Sequence, residues 1–447
     1  MKKIFKILLL SLIPLIIGSI FFTVSVSANT IDELKSKINA RGNTIEQLEK
    51  DINKYKREII ETQAQAKTLK SSIYELDLTR KKLLTDVKVT NNKIESTNYI
   101  LQKIQEETTN TANKINDGND TIGQLIRNID EMENTSLVEM ALANAEFSVT
   151  WNDIENMQRF RGIISDNLKK LKVFKKELEN KKLENETEKK SLLQFEDQLL
   201  DQKKIVETNK KNKNYLLSET KNQESTYQTI VANKKAAKEV FEKELADFES
   251  QLKTEIDRSR LPALGSGALG WPLKDASLDL CSSVNGKKVA NCVTQYFGNT
   301  AFARSGAYNG SGHNGIDFRA AVGEPVYASA SGTIKGVGNT DLYTGCYSYG
   351  KWILVEHDNG LSTLYAHLSL IKVKTGQYAQ KGDIIGYSGN TGYSTGPHLH
   401  YGVYASEGVQ IVRLGDVKSI TNCANAYIPV APFSAYLNPI DYLSQKK

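Results

Sequence analysis

Apolar residues recur along the first half of the chain at steps that alternate three and four. The series starts at Ile31 and passes through Leu34, Ile38, Ile45, Leu48, Ile52, Tyr55, Ile59, Ala66, Leu69, Ile73, Leu76, Leu83, Val87, Ile94 and Leu101 to Ile104. Arg41, Thr62, Arg80, Thr90 and Thr97 are its polar occupants. A 3.5-residue period held for about ten heptads predicts a left-handed supercoil of helices. A second helical stretch is expected from about Ile154 to Ile256, where about 100 residues at 1.5 Å rise would reach roughly 150 Å. Between the two, the segment 134–160 loses charge and gathers Leu137, Met140, Phe147, Trp151 and Phe160. It reads as short helices at the tip of an antiparallel hairpin. Those five residues either plug the bend or form a docking surface for a partner. Pairing of the helices between two chains is a third reading.

The pattern changes beyond Gly265. No proline occurs from Leu15 to Leu261, and only Gly42, Gly118, Gly123 and Gly162 interrupt Asn29 to Arg258. The remainder is dense in Gly, Tyr and turn pairs. "KWILVEHDNGLSTLYAHLS" holds two β-rich runs around Asp358-Asn359-Gly360, a hairpin signal. "DIIGYSGNTGYSTGPHLHYGVY" reads as strand, Gly-rich loop and strand. The expected fold class is therefore α+β and multidomain. A leader at 1–28 precedes a coiled-coil hairpin at 29–258. A linker at 259–272 then leads to an antiparallel β-sheet domain at 273–447.

The N-terminus carries Lys2, Lys3 and Lys6, an apolar run to Val24, and small residues ending at Ala28. This predicts a secretory signal cleaved after Ala28, with an uncleaved membrane anchor as the alternative. Either places the rest of the chain outside the cytoplasm, at the cell surface, in the periplasm or beyond. Cys281, Cys292, Cys346 and Cys423 are the four cysteines, and an even count in an exported chain predicts two disulfides. Sequence leaves their pairing open, with Cys281–Cys292 the most local choice. Net charge is +6 with no basic cluster, which gives no footprint for nucleic acid.

The chain holds only five histidines, two of them in "PHLH". On a strand, i and i+2 share a face, so His398 and His400 project together while Leu399 faces the core. His313 and Asp317 sit in "GHNGIDF", His367 in "LYAHLS", and His357 beside the hairpin turn, where it reads as structural. Imidazole and carboxylate suit zinc, and a catalytic zinc keeps three protein ligands and an open position. The set supplies three ligands plus spare imidazoles for general-base and oxyanion work.

"GHNGIDFRAAVGEPVYASASGTI", "LYAHLS" and "GDIIGYSGNTGYSTGPHLH" resemble the signature segments of the lysostaphin-type, LytM-like zinc endopeptidases of bacterial cell walls, over roughly 298 to 404. The resemblance implies the duplicated hybrid motif fold and Zn2+ as cofactor. It implies His313, Asp317 and His400 as metal ligands, and His367 and His398 as catalytic residues. After the second histidine the family often has an aromatic and an acidic residue. Here Tyr401-Gly402 follows, which leaves the groove wall open to question. The whole layout is similar to division-associated wall hydrolases and activators of the EnvC/PcsB type. That likeness implies docking of the coiled coil on an FtsEX-like membrane complex, and control of the hydrolytic domain by the coiled coil. The expected function is zinc-dependent cleavage of peptide cross-links or stem peptides in peptidoglycan, linked to division or wall remodelling. The runner-up is a non-catalytic activator of a cell-wall amidase, or a wall-binding module.

Overall fold

A computed structural model describes residues 24–63, 67–133, 147–281, 291–300, 303, 312–417 and 422–445. Most of the expected leader, and Leu137 and Met140 of the expected tip, lie outside the described residues. The chain forms two compact units, Met1–Gln47 with Val89–Gln198, and Leu48–Lys88 with Leu199–Lys447. Among the described residues no helix is long and apolar enough to cross a membrane.

Among the described residues four long helices build the first half: α1 Val24–Gln63, α2 Leu69–Glu133, α3 Phe147–Thr220 and α4 Glu224–Gln251. The 3.5-residue repeat therefore does not run through one unbroken helix. It is interrupted between Gln63 and Leu69, where the seam is weakest, at Thr62 and Ala66. Thr68 caps the restart: its Oγ1 accepts from the Ser71 N–H at 3.1 Å, satisfying a helix-end donor. The second expected helix is likewise divided. It breaks at Lys221 and Asn222, whose φ values of 47 and 56 are left-handed.

In the first unit, α1 and α2 run antiparallel, with Arg41 on Glu95 at 2.8 Å and Lys37 over the Tyr99 ring. The polar seam position at Arg41 is thus answered by an acid on the neighbouring helix. α2 and α3 also run antiparallel, with Lys181 on Glu107 at 2.7 Å and Lys114 over Phe174.

The second unit holds the β domain. Its main antiparallel sheet has the order β1-β2-β10-β6-β5-β4-β8, with β13 on β10. The strands are β1 Val293–Gln295, β2 Ile316–Arg319, β4 Gly332–Asn339, β5 Lys351–His357, β6 Leu361–Ala366, β8 Tyr378–Ala379, β10 His398–Ala405 and β13 Tyr436–Leu437. A smaller sheet pairs β3 Pro325–Tyr327, β9 Ile384–Tyr387 and β7 Leu370–Ile371, and β11 Gln410–Arg413 pairs β12 Tyr427–Val430. The Asp358-Asn359-Gly360 turn joins β5 to β6, with Gly360 at φ 80, a conformation that favours glycine. Phe318, Trp352, Leu364, Tyr365, Leu399, Tyr401 and Tyr404 are fully buried and form the core.

The helices of this unit seat on the β domain. Leu83 of α2 and Ile205 of α3 pack on Tyr387. Beside them the buried Lys82 contacts Asp86 at 3.1 Å and Glu324 at 3.4 Å, and Lys56 reaches Glu324 at 2.6 Å. Lys372 pairs with the buried Asp201 at 2.8 Å. Cys281 is bonded to Cys292, and Cys346 to Cys423. The second bridge closes a sequence separation of 77 and ties the loop after β4 to the chain before β12. Replacing both Cys346 and Cys423 with Ala should lower stability by roughly 4 kcal/mol through the freed unfolded chain. Denaturant unfolding of the purified double variant against the wild-type chain is the check.

Candidate metal centre and groove

The site begins with strand register. Asp317 on β2 stands directly opposite His400 on β10, and His400 stands opposite Ala366 on β6. Directly paired residues hold their Cβ atoms about 5 Å apart, close enough for side chains to meet. Asp317 Oδ1 thus lies 2.9 Å from His400 Nδ1. His313 arrives from the segment before β2, fixed by backbone bonds in both directions with Gly298. Its Nε2 lies 3.3 Å from Asp317 Oδ1 and 3.2 Å from His400 Nδ1. His313 Nδ1 donates to the Tyr296 carbonyl at 2.9 Å, which orients the ring with Nε2 as the nitrogen turned toward the cluster.

His313, Asp317 and His400 are all buried and could hold a metal ion. The spacing of the three ligand atoms is compatible with this. Ligand atoms at about 2.0–2.1 Å from a tetrahedral metal sit about 3.3 Å apart, and the three separations here fall between 2.9 and 3.3 Å. Donor chemistry agrees, since two imidazole nitrogens and one carboxylate oxygen form a borderline set suited to zinc. Burial works against the Asp317 charge. The neighbouring His313 and His398 nevertheless hold its carboxyl well below the usual carboxylate range. Burial pushes His400 below the ordinary imidazole value, against the opposing pull of Asp317. The direction at His400 favours the neutral imidazole that a metal requires.

Two further imidazoles flank the cluster. His398 and His367 have ring centroids 4.6 Å apart, and His367 lies 6.1 Å from His400. His398 Nδ1 donates to the Gly396 carbonyl at 2.8 Å, and His367 Nδ1 to the Thr391 carbonyl at 2.8 Å. Each ring is thereby oriented with Nε2 as its remaining nitrogen, and His398 Nε2 lies 3.8 Å from Asp317 Oδ2. His367 holds φ 59, a left-handed value that a non-glycine residue adopts at a cost of about 1–3 kcal/mol. Burial, then His398 and His400, push its pKa well below the ordinary value, so it stays neutral. His357 is apart from this group. It is buried between Ser331 and Thr363, and burial depresses its pKa to about 4.

These five residues line one cavity of about 620 Å³. Tyr347, Ser348, Tyr349, Phe433 and Tyr436 extend its walls. Tyr349 is locked by the Asn314 amide at 2.9 Å and lies against the His400 ring. The opposite wall was not foreseen from sequence. Lys238, Phe241, Glu242, Leu245 and Glu249 of α4 face the same cavity, with Phe241 buried. Gly315 was also missed. A Cβ there would meet His400 Cε1 at 2.7 Å and the Tyr401 carbonyl at 2.7 Å. The glycine inside "HNGID" was a signal for that close approach. Of the proposed docking residues, Phe147 begins α3, Trp151 is well exposed and Phe160 is half-buried.

Residues 311–411 match the family described as Peptidase family M23. The peptidoglycan DD-endopeptidase ShyA of Vibrio cholerae is 46% identical over 90 residues, covering 20% of this chain and 19% of that protein. Lysostaphin of Staphylococcus simulans is 46% identical over 93 residues, covering 21% of this chain and 18% of its own. The solved catalytic domain of lysostaphin from Staphylococcus simulans has 31% identity, a TM-score of 0.25, and coverage of 34% of this chain and 92% of its own. The chain spans about a fifth of the length of the curated relatives it matches. Gly315→Ala should weaken metal uptake by about 10–100-fold, the effect typical of displacing a ligand through its support. A zinc titration of the folded variant, beside its circular dichroism spectrum, reads this directly.

Proposed function

We propose, from the premise that residues 311–411 are a peptidase family M23 domain, that the protein is an exported zinc endopeptidase. Its substrate is the cross-links or stem peptides of peptidoglycan. The observation that carries the reading is the buried triad of ligand atoms with two oriented imidazoles beside it. His313 Nε2, Asp317 Oδ1 and His400 Nδ1 would hold the ion. Bound zinc supplies Lewis acidity toward the scissile carbonyl and an acidified water. One of His398 and His367 accepts the proton of the attacking water at Nε2. The proton so taken then passes to the leaving amine, and the other imidazole faces the developing oxyanion. Both Nδ1 atoms are committed to backbone carbonyls, so the rings cannot turn away between these steps. The relatives' printed names, an endopeptidase of peptidoglycan and lysostaphin, support the substrate class.

The helical region is proposed to control access. α4 lines the cavity that holds the five site residues, so a substrate strand must share that space with it or displace it. Membrane docking of the segment around Trp151 and Phe160, to a complex of the FtsEX kind active in division, is the proposed releasing event. It rests on the layout of the chain alone. A wall-binding or amidase-activating role is the second reading, and it would use the same groove without turnover.

His398→Ala should keep the metal and lower turnover on purified wall by about 10²-fold or more, as loss of a general base does. His313→Ala should lose the metal instead. Bound zinc by elemental mass spectrometry, with released muropeptides by chromatography, separates the two. Phe241→Ser should raise wall digestion at least tenfold, since losing a buried Phe costs its seat about 3–5 kcal/mol. Wall left uncut by wild-type and Phe241→Ser chains that are both loaded with zinc would favour the activator reading.

A further inference from the structure

α4 carries a carboxyl group that the site chemistry does not use. Glu249 is only 5% exposed. Its Oε1 accepts from the Tyr436 hydroxyl at 2.5 Å and from the Ala431 N–H at 3.2 Å. The titratable groups that face it are phenols: Tyr436 on β13, Tyr404 on β10, and Tyr349 on the loop before β5. On α4 itself, Glu242 also acts on Tyr349, and its cationic neighbour Lys238 is paired with it at 2.9 Å. Among the described residues the hydrogen-bond partners of Glu249 are the Tyr436 hydroxyl and the Ala431 N–H, neither of them a cation.

We propose that Glu249 is a proton-linked latch: protonated, it holds α4 along the groove wall, and ionised, it lets the helix leave. The inference rests on the reading that α4 controls access to the site. A neutral carboxyl that keeps its hydrogen bonds is tolerable in an apolar setting, whereas a carboxylate without a cation carries a large desolvation cost. Burial accordingly raises the Glu249 pKa from 4.5 to about 7, against the lowering effect of its two donors. Tyr349, Tyr404 and Tyr436 are all raised above the ordinary phenol value, so they stay neutral throughout. The docked helix binds more protons than the released one. Docking is therefore strongest below about pH 4.5, weakens as pH rises toward 7, and levels off above that. A difference of this size changes the opening equilibrium on the order of 10²-fold.

Hydrogen exchange across residues 241–251 of the full-length chain tests this, corrected for the intrinsic pH dependence of exchange. Between pH 5 and pH 8 the wild-type opening equilibrium should rise on the order of 10²-fold. Glu249→Gln keeps the acceptor but cannot ionise, and should stay protected and flat over that range. Tyr436→Phe removes a donor that lowers the Glu249 pKa. It should keep the rise and shift its upper end to higher pH, which covers the case in which the amide itself disturbs the seat. Equal pH profiles for the wild type and Glu249→Gln, or a flat profile for Tyr436→Phe, would overturn the latch. Exchange reads docking and not turnover, so the result stands apart from whether the wall is cut.

Discussion

The register of β2 against β10 is the constraint on which the site depends. Asp317 faces His400 because Leu399 pairs with Phe318 and Tyr401 with Ile316, all four fully buried. A slip of one residue would carry Leu399 to the carboxylate and turn both histidines of "HLH" into the core. The hydrophobic burial that makes the sheet is thus also what brings the ligand atoms within about 3 Å of one another. The same strand serves β6 on its other edge, which places His367 at the end of β6 beside His398. Five clustered side chains, Asp317 and four imidazoles, are positioned by three adjacent strands and the two segments that flank them.

The helices of the second unit meet this domain in two chemically different ways. α2 and α3 seat through Leu83, Ile205 and Tyr387, beside a buried charge cluster of Lys82, Asp86, Glu324 and Lys56. A buried ion pair adds little net stability over apolar residues, yet removing one partner costs about 3–5 kcal/mol. The cluster thus makes the seating sensitive to loss of any one of its partners. α4 makes an apolar seat instead. Leu245, Phe248 and Leu252 pack with Phe241 on the core of the β domain.

That apolar seat explains what was legible in the sequence and what was not. The strands, the Asp358-Asn359-Gly360 turn and the convergence of His398 with His400 follow from a period of two and from turn chemistry, which are local properties. The break before Leu69 is hidden because a coiled-coil seam tolerates small or polar residues such as Thr62 and Ala66 without losing its period. α4 is hidden for a deeper reason. Phe241, Leu245, Phe248 and Leu252 have the same three-and-four spacing as any coiled-coil seam. Spacing states that a helix has an apolar face and says nothing of whether another helix or a sheet covers it. Cysteine pairing was unreadable on similar grounds, because Cys346 and Cys423 are brought together only by the completed fold.

The consequence for function is energetic. Burying a Phe or Leu side chain stabilises by about 1.5–3 kcal/mol each, so lifting α4 from the groove is costed by several such residues and not by one contact. A partner can lift it only by binding the released form better than the docked form by a comparable amount. Release therefore favours an agent that acts on the helix as a whole, either by pulling on the helical region or by weakening the one polar anchor set among the apolar ones. On the proposed reading, a groove wall supplied by a helix would let His313, Asp317 and His400 stay clustered while access varied, so that control would require no change in the geometry of the site itself.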